Sequence, residues 1–143
     1  MVAMEPIRLG PVEMFVAVLE GDHPPPALFD ALVREVDGNS VRLLDFATVC
    51  NTDHGLTIVE ADTDELALLG LPLIAPGLVA EEDMRRVSPS VPPGRYAAVF
   101  LIELEWARRL SATIALGGAV IVETRRFPAV VVNAILDLVL DDE

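Results

Sequence analysis

Residues 41–62, VRLLDFATVCNTDHGLTIVEAD, predict two β-strands joined by a polar turn. Apolar side chains lie on both faces of the first strand, a pattern typical of a strand that is covered on both sides. The second strand, residues 56–61, is shorter and more polar, and its Glu60 suits the edge of a sheet. Residues 51–55, NTDHG, have the side chains that favour tight turns. The stretch therefore predicts a hairpin with one inner strand and one edge strand.

The segment before this hairpin predicts a strand and a helix. Residues 12–20, VEMFVAVLE, are apolar on both faces and predict a central strand. Residues 27–37 carry apolar side chains at helical spacing, and Gly38 follows as a residue that ends helices. Residues 12–50 are therefore predicted to form a first βαβ unit, which is preceded by an N-terminal arm at residues 1–10.

A second unit of the same kind is predicted after the hairpin. Residues 63–93 are broken by prolines and predict a helical insert followed by a proline-rich loop. Residues 96–104, YAAVFLIEL, predict another apolar strand, which a helix over residues 104–117 and a strand over residues 119–123 follow. Residues 95–124 thus predict a second βαβ unit.

These two units predict a single α+β domain over residues 1–143. Right-handed connections favour a ferredoxin-like split βαβ sandwich, with an antiparallel sheet of four to five strands, inserted helices and an extra C-terminal helix. We expect residues 12–19 and 96–104 to lie side by side at the centre of the sheet, with residues 56–61 at an outer edge. The helices of the two units cover one face of this sheet. Its other face then needs cover, either from the insert and the C-terminal helix or from a second subunit.

The C-terminal helix, residues 128–143, is apolar over most of its circumference. Its polar positions Asn133, Asp137 and Asp141 form one narrow stripe. A helix at the surface of a monomer buries a narrower apolar face than this, so we expect a homo-oligomer with the helix in its interface. The candidate interface residues are four on this helix, a basic pair before it and the single tryptophan: Val131, Ile135, Leu138, Val139, Arg125, Arg126 and Trp106.

The basic pair has a predicted partner in another subunit. Arg125 and Arg126 precede the apolar helix, which ends in three acidic residues at 141–143. Carboxylates at the C-terminus of a helix oppose the helix dipole, so a basic group beside them would stabilise them. We therefore predict a contact between the two arginines of one subunit and the acidic end of another.

The composition indicates a folded acidic protein. Of the 143 residues, 52% are hydrophobic, and the net charge of -13 argues against binding to nucleic acid. The single Cys50 excludes an internal disulfide. The most apolar stretch, residues 66–80, is too short to span a bilayer and is broken by Pro72 and Pro76, so membrane contact is not expected to be important. Without the pattern of a secretory signal, the expected location is the cytoplasm.

No metal ligand, cofactor-binding residue or catalytic residue is predicted. Cys50, Asp53 and His54 lie within five residues of one another, but the second cluster that a zinc site needs does not follow. These three are interpreted as the end of a strand and its turn. His23 stands beside Asp22 before three prolines and is interpreted as a loop histidine.

Glu103 and Glu105 are the remaining pair with the potential for acid–base chemistry. Their spacing places them on one face of a strand end, and Glu105 can also form an ion pair with Arg109 one helical turn later. The surface ion pair of Glu105 and Arg109 is the favoured interpretation. The sequence contains no P-loop, Gly-x-Ser-x-Gly or dinucleotide-binding pattern. It therefore identifies no residues for nucleophilic or nucleotide chemistry.

Four short motifs resemble those of a known family. They are GPVE at residues 10–13, VRLLD at 41–45, EED at 81–83 before a Pro-Gly turn, and EWA at 105–107. On these motifs the chain resembles a family of small, mostly actinobacterial proteins that is known as a domain of unknown function, over about residues 10–138. The resemblance implies a fold and a taxonomic setting, and it brings no activity with it.

The predicted function is assembly. We predict a non-enzymatic, homo-oligomeric protein that acts through protein contacts as an assembly, scaffold or regulatory component. One alternative is a sensor that binds a small molecule between the sheet and the insert. Another is a cofactor-free enzyme of a dimeric ferredoxin-like type, which would need His23, Glu103 or Asp45 in a closed pocket.

Overall fold

The structure is a computed structural model that describes residues 9–81 and 87–141. The chain divides into two compact units, residues 1–110 and 111–143, and its organisation as a single domain stays a prediction. The described elements are, in chain order, β1 (Val12–Val18), α1 (Pro26–Asp37), β2 (Val41–Thr52), β3 (Gly55–Glu60), α2 (Thr63–Leu68), α3 (Leu78–Glu81), a 3-10 turn (Ser88–Ser90), β4 (Tyr96–Leu104), α4 (Glu105–Leu116) and α5 (Ala129–Asp141).

The four strands form one antiparallel sheet in the order β1-β4-β2-β3. β4 pairs with β1 on one side and with β2 on the other, and a register shift interrupts the β2 side between Leu43 and Asp45. β1 and β2 therefore run parallel to each other with β4 between them. The hairpin prediction is confirmed, because β2 lies inside the sheet, β3 lies at its edge, and Gly55 has a φ of 103° in the turn.

Two expectations about the strands were wrong. β1 was expected at the centre of the sheet, but in the described residues it pairs with β4 on one side and lies at an edge. The strand expected over residues 119–123 is absent, and residues 119–128 have no regular secondary structure. A run of β-branched residues has strand propensity, but it becomes a strand where a neighbour supplies hydrogen bonds. Among the described residues this segment has no such ladder.

The ends of the helices follow from local chemistry. Pro26 occupies the first turn of α1, where its missing N–H costs no hydrogen bond. Asp62 is the N-cap of α2, and its carboxylate accepts hydrogen bonds from the backbone N–H groups of Asp64 at 2.9 Å and Glu65 at 3.2 Å. The side chain of one residue therefore fixes the start of α2.

Aromatic rings form the centre of the core on the α1 face of the sheet. Phe46 and Phe100 stack with their ring centroids 5.6 Å apart, Phe15 stacks on Phe100 at 5.3 Å, and Phe29 of α1 lies tilted against Phe46. These rings join strands β1, β4 and β2 to α1. Buried aliphatic residues complete this cluster, including Leu19, Leu32, Leu43, Leu66, Leu71, Ala98 and Ile102.

The opposite face of the sheet is covered by the insert between β3 and β4. Val79, Val87 and Val91 are buried there against Leu44 and Val99 and their neighbours on β2 and β4. The sequence allowed two kinds of cover for this face, namely segments of the same chain or a second subunit. The chain's own insert supplies at least part of this cover. The insert is thus a structural element of the core.

Candidate functional site

A large exposed apolar surface in the second unit lies on α5. The helix begins after Pro128, whose carbonyl oxygen accepts hydrogen bonds from the N–H groups of Val131 and Val132. Its large aliphatic side chains are between 42% and 75% exposed, although a helix of a folded protein normally buries such residues. We call these residues the apolar helix surface: Val130, Val131, Val132, Ile135, Leu136, Leu138, Val139 and Leu140.

The other predicted interface residues have separate surroundings. Arg125 donates from Nε to the Glu123 carboxylate in a short ion pair, and Arg126 is exposed. Their predicted partners at residues 142–143 lie outside the described residues. Trp106 is half exposed at the start of α4, and its backbone N–H donates to the carbonyl oxygen of Ser40. The interface role of all three side chains stays a prediction.

A cavity of about 360 Å³ lies in the first unit, where the hairpin and the loop before α1 come together. We call it the cysteine cavity. Side chains alternate along a strand, so Thr48 and Cys50 lie on the same face of β2 as the buried Phe46. The cavity is lined by two loop residues and seven residues of the sheet: Asp22, His23, Thr48, Val49, Cys50, Thr52, Thr57, Val59 and Tyr96.

Two hydrogen-bonded pairs line the cysteine cavity. Cys50 and Tyr96 are opposite each other in the β2–β4 register. The pKa of the Tyr96 phenol is raised, mainly by its hydrogen bond to Cys50. The charge of a Cys50 thiolate and burial raise this pKa further, and the charge of Asp22 contributes least. In the loop, Nδ1 of His23 lies 2.6 Å from Oδ1 of Asp22. Sequence reasoning considered Cys50 and His23 separately and missed their convergence, because their distance along the chain gives no signal of it.

The three residues considered as metal ligands have different positions in the fold. Cys50 lines the cavity, whereas Asp53 and His54 are exposed in the hairpin turn, where the His54 N–H donates to Oγ1 of Thr52 at 3.3 Å. Within residues 9–81 and 87–141, no group of three histidine, cysteine or acidic side chains could hold a metal ion.

Glu103 is the most buried charged residue in the described chain. Its side chain has no exposed area. Oε1 accepts a hydrogen bond from Nε of Arg42 at 2.6 Å, and Oε2 accepts one from the backbone N–H of Gly10 at 2.6 Å. Nε of Arg108 lies 3.8 Å from Oε2. These contacts tie the residues before β1, strand β2 and helix α4 to the end of β4.

Glu105 and Asp45 also have structural partners. Glu105 forms ion pairs with Arg108 at 3.2 Å and with Arg109 at 3.9 Å, so its predicted pairing with Arg109 is confirmed. Asp45 is buried, and its Oδ2 accepts the N–H of Val79 at 2.7 Å. This bond holds the insert against β2. Of the three residues that the enzyme alternative requires, His23 lines the cysteine cavity described above.

The hydrogen bonds and ion pairs of Glu103 predict that the stability of the fold decreases at acid pH. Burial raises the pKa of this carboxyl group, but the hydrogen bonds from Arg42 and Gly10 and the charges of Arg42 and Arg108 outweigh burial, so its pKa is lowered. A carboxyl group with a lowered pKa stabilises the fold above its unfolded-state value, about 4.3 for glutamate. That contribution is lost as the pH falls through the folded-state pKa.

We therefore expect the free energy of unfolding to fall more steeply between about pH 5 and pH 3 in the wild-type protein than in Glu103→Gln. Urea unfolding followed by circular dichroism at a series of pH values measures both slopes. Other carboxyl groups titrate in both proteins, so the difference isolates Glu103. Equal slopes would show that the carboxylate does not stabilise the fold through its charge.

A second cavity of about 360 Å³ lies between β2 and the beginning of the insert. Arg42 and Glu105 are among its lining residues, together with Pro72 and Ile74 of the insert. This is the region in which the sensor alternative places a ligand. Arg42 already holds the buried Glu103 and Glu105 holds two arginines, so both charged side chains in this lining have structural partners.

No helix in the described parts of the chain combines the length and the apolar character needed to cross a membrane. Comparison with curated proteins gives no match, and comparison with solved structures gives none either. A family model matches residues 8–142, which is nearly the whole chain, and its description is a family of unknown function. The resemblance found in the sequence motifs is confirmed at this level. The chain belongs to the family of unknown function DUF6325.

Proposed function

We propose that the protein is a homo-oligomeric assembly module that acts through protein contacts, with the apolar helix surface of α5 as its interface. The observation that supports this is the exposure of eight large aliphatic side chains on one helix of 13 residues. A monomeric protein rarely exposes a contiguous apolar patch of this kind. A second copy of the same helix offers an apolar surface of matching chemistry, as a two-fold interface requires.

The energy available at this surface is of the order that association requires. Fully burying one valine, leucine or isoleucine side chain contributes about 1.5–3 kcal/mol. Ile135 and Leu138 are 56% and 68% exposed, so each has much of its side chain left to bury. Several such residues from two copies together contribute an energy of the same order as the estimated cost of about 4–15 kcal/mol for lost translation and rotation.

The proposal depends on α5 and not on an uncovered sheet. The sequence had suggested a second subunit because the second face of the sheet lacked cover. Val79 and Val91 of the insert are buried on that face, so the need for a subunit there is smaller than the sequence implied. The exposure of the apolar residues of α5 is a separate observation, and the burial of the insert does not change it.

Sedimentation velocity on the wild-type chain and on Ile135→Asp/Leu138→Asp tests the proposal. The wild-type protein is expected to sediment as a dimer or larger oligomer at micromolar concentration. The double variant is expected to sediment as a monomer, because two carboxylates in an apolar interface must be desolvated without partners. Its far-ultraviolet circular dichroism is expected to remain that of the folded protein.

The matched control is Leu68→Asp. Leu68 is a leucine with 88% exposure on α2 in the first unit, outside the proposed interface. Leu68→Asp introduces the same apolar-to-acidic change as each substitution in the double variant, and it is expected to remain oligomeric. If Leu68→Asp dissociated the oligomer as completely as the double variant, the interface would not be specific to α5.

The sheet also supports a proposal about the fold class. In a split βαβ unit, two parallel strands joined by a helix have an antiparallel strand between them. β1, α1 and β2 have this arrangement around β4. We infer a relationship to the ferredoxin-like sandwich in which the last strand of the second unit is not formed.

A further inference from the structure

The cysteine cavity has the dimensions of a small-molecule site. Its volume of about 360 Å³ lies within the range of about 300–1,000 Å³ that such sites occupy. Strands β2, β3 and β4 provide its floor through Cys50, Thr57 and Tyr96, and the loop before α1 provides Asp22 and His23. The polar groups thus come from four separate segments around one apolar space, which is the arrangement that fixes the orientation of a ligand.

The polar groups of the loop are hydrogen-bond acceptors. An ionised carboxylate can accept hydrogen bonds but cannot donate them, so the 2.6 Å contact to Asp22 requires the proton of His23 on Nδ1. In the neutral ring, Nε2 is then a second acceptor. The side chain of Asp22 is 72% exposed, so it can accept further hydrogen bonds without moving out of a buried position.

The charge of the cavity selects against anions. Within the described chain, the residues that line it include Asp22 and no arginine. The protein as a whole carries a net charge of -13. Such a field raises the local concentration of cations and lowers that of anions. Phosphates and carboxylates therefore fit this cavity poorly.

We propose that the cysteine cavity binds a small organic cation, a primary amine on an apolar frame. Its ammonium group donates hydrogen bonds to the Asp22 carboxylate and to His23, and its apolar frame lies against Val59 and Tyr96. An ammonium group has three donors and no acceptor, which matches the acceptors of the loop. An aromatic ring such as that of Tyr96 also attracts a cation at its face. This binding does not depend on self-association through α5.

Cys50 supplies a built-in reporter, because it is the single cysteine of the chain and lines the cavity. A bound ligand is expected to slow alkylation of the thiol by iodoacetamide, which intact-protein mass spectrometry measures. The probes are benzylamine, benzyl alcohol and benzoate, which share one ring and differ in charge. Benzylamine is expected to slow alkylation about tenfold at about ten times its dissociation constant. Benzoate is expected to have no effect.

Two matched variants test the role of the carboxylate. Asp22→Asn is expected to abolish protection by benzylamine. Asp53→Asn makes the same change in charge at an exposed residue of the neighbouring hairpin turn that does not line the cavity, and it is expected to retain protection. Protection by benzoate as strong as by benzylamine, or an equal loss in both variants, would overturn the proposal.

Nuclear magnetic resonance provides a readout that is independent of the thiol. Benzylamine is expected to shift the amide signals of Thr57 and Tyr96 and to leave that of Leu68 unchanged. Thr57 and Tyr96 line the cavity, whereas Leu68 does not. Shifts spread evenly over exposed acidic residues would indicate non-specific attraction to the negative surface and would overturn the proposal.

Discussion

Replacing Arg42 by methionine is expected to lower the free energy of unfolding by about 3–5 kcal/mol at neutral pH. Arg42 donates from Nε to the carboxylate of Glu103 at 2.6 Å, and the Glu103 side chain has no exposed area. Methionine retains an apolar stem but removes the charge. Glu103 would keep the Gly10 N–H and a distant Arg108, which do not replace the lost partner.

Chemical unfolding of Arg42→Met and of Arg34→Met measures this effect against a matched control. Arg34 is exposed on α1, and its loss is expected to change the free energy of unfolding by no more than about 0.5 kcal/mol. The Arg42 effect should shrink at acid pH, where Glu103 is protonated and no longer needs a cation. A loss below about 1 kcal/mol at neutral pH would mean that Arg42 is not the partner that stabilises the buried carboxylate.

The replacement Phe46→Ala is expected to lower the free energy of unfolding by about 3–5 kcal/mol. Phe46 is 2% exposed and joins two layers, since its ring stacks on Phe100 of β4 and contacts Phe29 of α1. Alanine would leave a cavity between the sheet and the helix and remove both aromatic contacts. Thermal and urea unfolding measure the loss.

Phe46→Leu and Leu68→Ala are the comparisons for this effect. Leucine keeps much of the apolar volume, so Phe46→Leu is expected to lose less stability than Phe46→Ala. Leu68 is 88% exposed, and Leu68→Ala is expected to have almost no effect. A similar loss for Phe46→Ala and Leu68→Ala would contradict the position of Phe46 at the centre of the core.

The hairpin was predictable because its signals are local. The alternation of β2, the polar turn and the charge at Glu60 together specify an inner strand and an edge strand, and the sheet has both. The cap at Asp62 was equally local. The strand expected at residues 119–123 did not form, because its stability depends on a neighbouring strand that the sequence does not specify.

The buried ion cluster shows why part of the site could not be predicted. Glu103 has the same strand parity as Val99 and Leu101, so alternation within YAAVFLIEL did place it on a buried face. That signal could have identified Glu103 as a buried carboxylate. Its pairing with Arg42 depends on the β2–β4 register, which joins residues 61 positions apart and has no local signature.

The cysteine cavity could not be predicted from the sequence for the same reason. His23, Cys50 and Tyr96 are each ordinary in their own segments, and the sequence contains no spacing that links them. The fold brings them to one cavity by pairing β2 with β4 and by turning the loop before α1 over the end of the hairpin. The chemistry of the residues was visible in the sequence, but their proximity required the sheet.

Native mass spectrometry of the wild-type chain tests the central claim most directly. The chain has a mass of 15.4 kDa. If the apolar helix surface is an interface between copies, the protein at low micromolar concentration should have a mass of two or more times this value. A single species at the mass of one chain, unchanged as the concentration is raised, would contradict self-association as the function of α5.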